Sequence, residues 1–178
     1  VTAAAIPSAR TTLLGKFYGI GYTLSAIVPS GTFDNLVITV PAGSNAVDLG
    51  PVVTDAKAIA AAMNTGAVPG LSASAGVTTV AAAAVQTSNG SANGVATLTL
   101  NTVNISLNFA QGGGSANALN RSTAVNAINA QSAKTGVVAT DTGTGVSLSA
   151  ADGRNIEVAY AAGGATGSTL SDFGLASA

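Results

Sequence analysis

Carboxylates are the side chains of this sequence whose type could support acid–base chemistry. A glycosidase would need two of them to converge at about 5 to 10 Å. All but one of the seven stand in predicted turns, loops or helix starts, where a carboxylate accepts main-chain hydrogen bonds. The seven residues are Asp34, Asp48, Asp55, Asp141, Asp152, Glu157 and Asp172. We therefore predict that these carboxylates are structural and that none is catalytic.

Nucleophilic, phosphate-binding and metal-binding chemistry are also poorly supported. The chain has no cysteine and no histidine, so no disulfide is possible and no serine can have a histidine base. Residues 163–168 resemble a phosphate-binding loop, but no lysine precedes the serine and no helix is predicted to follow. Residues 141–152 have the length of an EF-hand loop, but Gly143, Gly145 and Ser147 cannot replace its carboxylate ligands. We predict no enzyme activity, no cofactor and no bound metal.

Composition narrows the class of protein further. The 178 residues suffice for one ordinary domain or two small ones. Charged residues make up 7% of the chain, whereas roughly 25% is typical of globular proteins. The net charge is −1 and no basic patch could neutralise nucleic-acid phosphates. No apolar run reaches the length of about 18 residues that suggests a membrane span. Alanine inflates the apolar fraction, so we expect a β-rich fold with thin cores.

A short helix is predicted in the second half of the chain. Ser122 or Thr123 could cap it before an alanine-rich run that extends to residue 135. Ile128 lies on its narrow apolar stripe. Gly136 stands where a left-handed residue would end the helix.

Strands are predicted after this helix. Residues 141–145 and the Asp152–Gly153 pair have turn chemistry. Strand-like composition or alternation appears on either side of them, in residues 137–140, 146–149 and 155–160. The pattern predicts a β-hairpin or meander closed by the last of these strands.

Earlier segments predict a similar set of elements. Residues 95–109 alternate between apolar and polar, with a change of phase near Asn101 and Thr102 that suggests a turn or bulge. Other elements predicted are an N-terminal hairpin around residues 13–22, a strand at 33–40, a helix at 55–63 capped by Thr54, and two weaker strands within 71–85.

These elements predict an α+β, β-rich protein made of two small units. The first, residues 1–90, holds the N-terminal hairpin and a strand–helix–strands arrangement. The second, residues 91–178, holds the remaining strands, one short helix and the closing hairpin or meander. The boundary is placed in the sequence QTSNGSANG at residues 86–94, which is rich in loop-forming residues. Phe173 and Leu175 are predicted to anchor the C-terminal tail.

Part of the second unit resembles a known family. Three pieces carry the resemblance: AIN at 127–129, KTGV at 134–137 and ADGRNI at 151–156. In this order and spacing they resemble the IN motif of bacterial flagellins and hook-associated proteins, over roughly a quarter of the chain. The resemblance implies an extracellular outer domain of a flagellar filament subunit, secreted through the flagellar export apparatus. The absence of cysteine fits a protein exported in an unfolded state.

Two hypotheses for function follow from this resemblance. The first is a structural role as the central, variable, surface-exposed region of a flagellin, which contributes to motility and antigenicity. Its partners would be other flagellin subunits, through terminal regions outside this segment, and a host receptor or antibody on the outer surface. The alternative is an adhesin or ligand-binding module of a hook-associated or filament cap protein. The chain begins without methionine, so we read it as a segment of a longer protein, and we expect the isolated segment to be a monomer.

Two residue-level predictions concern the motif. Ile128 and Ile156 are expected to face each other between the helix and the last strand. Arg154 is interpreted as a solvated turn residue that pairs with Asp152 or Glu157, in preference to a contact with a neighbouring subunit.

Overall fold

The computed structural model describes residues 32–33, 36–38, 46–69, 71–83, 86 and 90–178. Within these residues the protein is α+β and β-rich, with two two-stranded sheets and two three-stranded sheets, all antiparallel. The described chain forms two compact units. The first contains the described residues up to Val77 together with Asp152–Arg154, and the second contains those of Thr78–Ala151 and Asn155–Ala178. The predicted N-terminal hairpin lies outside the described residues.

The first unit combines four very short strands with one helix. β1 (Thr32–Phe33) pairs with β4 (Val52–Val53), and β2 (Val37–Ile38) pairs with β3 (Val47–Asp48). Helix α1 (Ala56–Met63) follows β4. Within the described residues, the predicted strand at 33–40 appears as two pieces that pair with different strands. A small core joins these elements, with Ile38, Val52, Ile59, Met63 and Val68 among its buried residues.

Asp55, and not the predicted Thr54, is the N-cap of α1. Its backbone is extended, at φ −126° and ψ 153°, and its Oδ1 accepts a hydrogen bond of 2.6 Å from the amide of Ala58. A carboxylate three residues before the bonded amide satisfies one of the unpaired donors at the start of the helix. The sequence interpretation placed Asp55 one position too far into the helix.

The first sheet of the second unit is built on a tight hairpin. β6 (Gly94–Leu100) pairs with β7 (Val103–Phe109) along its whole length, and β10 (Val158–Ala161) lies on the other side of β6. Asn101 and Thr102 form the turn, with φ values of 46° and 69°. Two consecutive left-handed residues define a type I′ turn, whose twist matches that of the strands. The predicted turn at these two residues is confirmed.

The second sheet draws its strands from distant parts of the chain. β8 (Val138–Asp141) and β9 (Val146–Ala150) form a hairpin, and β5 (Thr78–Val80) pairs with β9 on the other side. Because β5 belongs to this sheet, the second unit begins at Thr78, earlier than the predicted boundary at residue 90. The prediction of two first-unit strands in residues 71–85 is also wrong for the described residues. Those residues form a single strand, β5, and it belongs to the second unit.

The predicted hairpin about residues 141–145 is confirmed as β8 and β9, but the predicted pairing of the last strand with it is wrong. β9 and β10 flank the Asp152–Gly153 turn, yet they belong to different sheets, and residues 153–157 between them form neither helix nor strand. Residues that alternate in sequence can pair with any strand that offers the right face, so alternation alone did not identify β6 as the partner of β10.

The second-unit helix is longer than predicted. α2 (Gly113–Ala130) begins after Gly112, which has a φ of 119°, and α3 (Ser132–Thr135) continues after a break at Gln131. Ser122 and Thr123, the predicted caps, lie inside α2. The added turns contain glycine and serine and no apolar stripe, so neither propensity nor periodicity indicated them.

One core occupies the second unit, between the two sheets, α2 and the C-terminal segment. Its buried members include Leu98, Leu107, Ile128 and Leu148. Phe173, in a short 3-10 helix (Leu170–Phe173), is fully buried, and its ring lies edge-on to that of Phe109 at a centroid distance of 5.9 Å. Leu175 is 1% exposed, so the predicted anchoring of the tail by Phe173 and Leu175 is confirmed.

Candidate functional site

The IN pair at the end of α2 connects the helix to the core and to β8. The Ile128 side chain is fully buried. Next to it, Asn129 Oδ1 accepts a hydrogen bond of 2.8 Å from the amide of Ala139, and Asn129 Nδ2 donates one of 3.0 Å to the Ala139 carbonyl. We call this arrangement, in which one side-chain amide bonds both main-chain groups of a single residue, an amide bridge. It gives Ala139 the two bonds that a neighbouring strand would supply.

Two other asparagines form the same amide bridge. Asn120, also in α2 and fully buried, bridges Ala110 at 2.8 and 3.0 Å. In the first unit, Asn64 bridges Ala73 at 2.8 and 2.7 Å. Sequence analysis missed all three. Asparagine is unfavourable inside a helix because its side chain competes for the hydrogen bonds of the main chain. Asn120 and Asn129 inside α2 could therefore have indicated side-chain bonds to the main chain.

The KTGV piece ends the helix and starts the strand. Gly136 has a φ of 72°, as predicted, and its amide bonds the Ser132 carbonyl at 2.7 Å. The Thr135 hydroxyl, fully buried, accepts a hydrogen bond of 3.2 Å from the Val137 amide. Val137 is also fully buried. Thr135, Gly136 and Val137 are thus explained by the helix stop or by the core.

The ADGRNI piece forms a charged turn. Arg154 donates to both carboxylate oxygens of Asp152, through Nε at 3.1 Å to each and through a terminal nitrogen at 2.8 Å. Lys57 Nζ lies 2.7 Å from the same carboxylate. Hydrogen bonds from Arg154 and then Lys57 hold the pKa of Asp152 well below its usual range. The predicted pairing of Arg154 with Asp152 is confirmed, and Lys57 is a partner that sequence analysis did not identify.

Glycine is required between these two charged residues. Gly153 has a φ of 75°, and a Cβ placed on it would overlap Ala75 and the Gly76 carbonyl. The turn can therefore approach this backbone only without a side chain at its centre. Ile156, which follows the turn, is buried in the same core as Ile128.

Three other described carboxylates, those of Asp48, Asp141 and Asp172, also bond the main chain or a neighbouring side chain. Asp48 accepts from the Gly50 amide at 2.7 Å, and Asp141 accepts from the Gly143 amide at 2.8 Å. Asp172, fully buried, accepts from the amide and hydroxyl of Thr169 in a capping box. These bonds are those expected of turns and helix starts. Asp34 lies outside the described residues.

A polar network around Arg121 was not foreseen. Arg121 Nε lies 2.9 Å from Asp141 Oδ1, and a terminal nitrogen of the same guanidinium donates to Gln86 at 2.7 Å. Gln86 in turn donates to the carbonyls of Asn117 and Asp172 at 2.9 and 2.7 Å. The Arg121 side chain is only 13% exposed, so its charge interacts with groups of the second unit. The network spans four separate stretches of sequence, and no local pattern reveals it.

The two loop patterns considered for phosphate and calcium have structural roles. Ser168 is buried, donates to the Ala165 carbonyl at 2.6 Å and lies 2.6 Å from the Tyr160 hydroxyl. The 141–152 stretch contains β9, so it cannot wrap around an ion as an EF-hand loop does. Across the described parts of the chain, no three acidic residues gather where they could hold a metal ion.

None of the described helices has the length and apolar character needed to cross a bilayer. No protein family, curated protein or solved structure matches the sequence or the fold.

Proposed function

We propose that this chain is the outward-facing central region of a bacterial flagellin, held on the outside of the flagellar filament. The observation that carries the proposal is the ordered set of three motif pieces at 127–129, 134–137 and 151–156. The role is structural, with no catalytic residues, cofactor or metal.

The local geometry of the pieces supports this proposal. Ile128 and Ile156 belong to one core, Asn129 bridges the main chain of β8, and Gly136 and Gly153 have positive φ values. Each residue type is needed where it stands, which is what a folding motif requires. A motif made of binding residues would instead present exposed side chains.

The exposed face of the β6–β7 hairpin also fits an outer surface. Its β7 side chains are Asn104, Ser106 and Asn108, which are small, polar, uncharged and exposed. Substitutions at such positions usually change stability by less than about 0.5 kcal/mol. A surface of this kind can vary in sequence, and therefore in antigenicity, without loss of the fold.

Immunogold electron microscopy of the encoding bacterium would test the proposal. Antibodies raised against the purified chain should label flagella along their whole length. Label confined to the filament tip or to the hook–filament junction would support the alternative, a module of a cap or hook-associated protein. Absence of label from flagella, with label elsewhere on the cell, would refute both. Antibody absorbed with the purified chain is the matched control.

A further inference from the structure

The outer edge of β7 pairs with no other described strand. In the sheet order β10–β6–β7, β7 is terminal, and no described residue forms a main-chain hydrogen bond on its far side. The two-residue turn makes Leu100 and Val103 a hydrogen-bonded pair, so alternate residues of β7 bond β6. The amides and carbonyls of Asn104, Ser106 and Asn108 therefore point away from the sheet.

The β8 edge of the other sheet, by contrast, has side-chain bonds on its outer side. There β8 is the terminal strand, and Asn129 occupies both main-chain groups of Ala139. The Arg121–Asp141 ion pair lies at the end of the same strand. Charges and side-chain bonds of this kind are how proteins prevent strands from adding to an edge. β7 has seven residues without charge, proline or amide bridge inside it.

The sequence of β7 reads nearly the same in both directions. Around Ser106, the strand VNISLNF has an aliphatic residue on each side, then an asparagine, then an apolar residue. The inward residues Ile105 and Leu107 fill the core, which explains their type. The core does not explain why the outward residues form the symmetric set Asn–Ser–Asn. A symmetric strand is what a two-fold interface needs, because each residue meets its counterpart in reverse order.

We propose that β7 pairs with β7 of a second copy of this chain, antiparallel, about a two-fold axis at Ser106. Ser106 then lies opposite Ser106 of the second copy, and Asn104 lies opposite Asn108 of the second copy. The two three-stranded sheets become one continuous six-stranded sheet. The outward amides and carbonyls of the three residues are all satisfied by the partner strand.

This interface is narrow, and pairing is therefore weak. It consists of one strand edge with small polar side chains, well below the area of about 800 Å² per partner that stable complexes bury. The chain is thus a monomer in dilute solution and pairs when copies are concentrated or held side by side. Neighbouring subunits of an assembly provide an effective concentration in the millimolar range. The pairing itself does not depend on the proposed flagellar function and can be measured on the purified chain.

Cysteine cross-linking tests the pairing directly, because the chain contains no cysteine of its own. In a hydrogen-bonded antiparallel pair the Cα atoms are about 5.5 Å apart, a separation that a disulfide spans. Ser106→Cys should form a disulfide-linked dimer under mild oxidation of a concentrated sample. The control is Ala159→Cys, which is exposed in β10 of the same sheet but removed from the proposed axis.

A charge exchange tests the register. In N104K/N108K, each lysine meets a lysine of the second copy, whereas in N104K/N108E each lysine meets a glutamate. Placed in the Ser106→Cys background, the first pair should lower the cross-linking yield by about tenfold or more and the second should preserve it. Both variants alter the same exposed positions, so a general loss of folding would affect them alike, and circular dichroism would detect it.

Three results would overturn the proposal. The first is a cross-linking yield for Ser106→Cys no higher than that for Ala159→Cys. The second is equal cross-linking in the two charge variants, both folded. The third is a disulfide in Ser106→Cys that forms only after denaturation.

Discussion

Several asparagine side chains bond main-chain groups of other segments within the described residues. Besides the three amide bridges, Asn101 donates to the carbonyls of Thr135 and Asn155 and accepts from the Glu157 amide at 2.8 Å. A buried main-chain group without a partner costs about 1 to 3 kcal/mol. Removal of one of these amides therefore has an effect well beyond the loss of one exposed side chain.

Asn129→Asp should lower the free energy of unfolding by about 1 to 3 kcal/mol. The carboxylate keeps the shape of the amide but cannot donate to the Ala139 carbonyl, and it brings a negative charge beside that oxygen. Urea unfolding at pH 7 is the measurement. Asn126→Asp is the matched control, because Asn126 is exposed on the same helix, and a change within about 0.5 kcal/mol is expected there. Equal effects at the two positions would show that the amide bridge is not significant.

Ile128→Ala should cost about 2 to 5 kcal/mol, as for other buried aliphatic side chains. The residue is fully buried in a core that has few large side chains to fill the cavity. Arg154→Ala removes a partly exposed ion pair and should cost less than about 1 kcal/mol. Denaturant unfolding of both variants makes the comparison. If Arg154→Ala were as damaging as Ile128→Ala, the charged turn would do more than pair two side chains.

Tyr160 should make the protein sensitive to alkaline pH. Burial raises the pKa of its phenol above the ordinary value of 10.0, and the Ser168 hydroxyl lies 2.6 Å away. The unfolded chain then ionises this phenol at a lower pH than the folded chain. Stability from this group is complete below pH 10 and is lost as the pH rises through the folded pKa. Tyr160→Phe, which retains Tyr18 and Tyr22, should show a smaller decline in the urea midpoint between pH 9 and pH 11. An unchanged decline would contradict this assignment.

The hairpin of β6 and β7 contains a strained turn residue. Thr102 has a φ of 69°, and a β-branched residue is disfavoured in this region. Asn-Gly is the preferred sequence for a type I′ turn.

Thr102→Gly should therefore raise the free energy of unfolding by about 0.5 to 1 kcal/mol, since relief of strain exceeds the added freedom of the unfolded chain. Thermal unfolding would show the increase. Thr99→Gly, inside β6, should lower stability, because no left-handed residue is required there. A loss of stability in Thr102→Gly would mean that the threonine side chain contributes contacts that outweigh the strain.

An element could be predicted from the sequence when the residues that determine it lie close together along the chain. The β6–β7 hairpin was predictable because its alternation and turn lie within sixteen consecutive residues, Gly94 to Phe109. Gly136 and the Asp152–Arg154 pair are equally local. The start of α2 depends on the Asn120 bridge, and the partner of β10 depends on β6. Neither relation is encoded in neighbouring residues, so the helix start and the pairing of the last strand were predicted incorrectly.

On the scale of the whole molecule, the two units differ in the amount of core that holds them. The second unit has a single large core that includes Leu98, Leu107 and Phe173. In its described residues the first has a smaller core and four strands of two residues each. The two units should therefore differ in stability against local unfolding.

Native-state hydrogen exchange would measure this difference. The hydrogen-bonded amides of β6 should exchange at least about tenfold more slowly than those of α1, which corresponds to 1.4 kcal/mol. Equal protection of the two elements would indicate that the two units unfold together.

The amide bridges of α2 also bear on the order in which the second unit assembles. Asn120 reaches back ten residues to Ala110, and Asn129 reaches forward ten residues to Ala139. The bond between Asn101 and Glu157, which adjoins the pairing of β10, spans 56 residues. Closing a loop of 56 residues costs about 1.5 kcal/mol more chain entropy than closing one of ten. By loop length, the β6–β7 hairpin with its two-residue turn and then α2 with its two flanking segments therefore have low entropic barriers to formation, and the contact that adjoins β10 has a higher one.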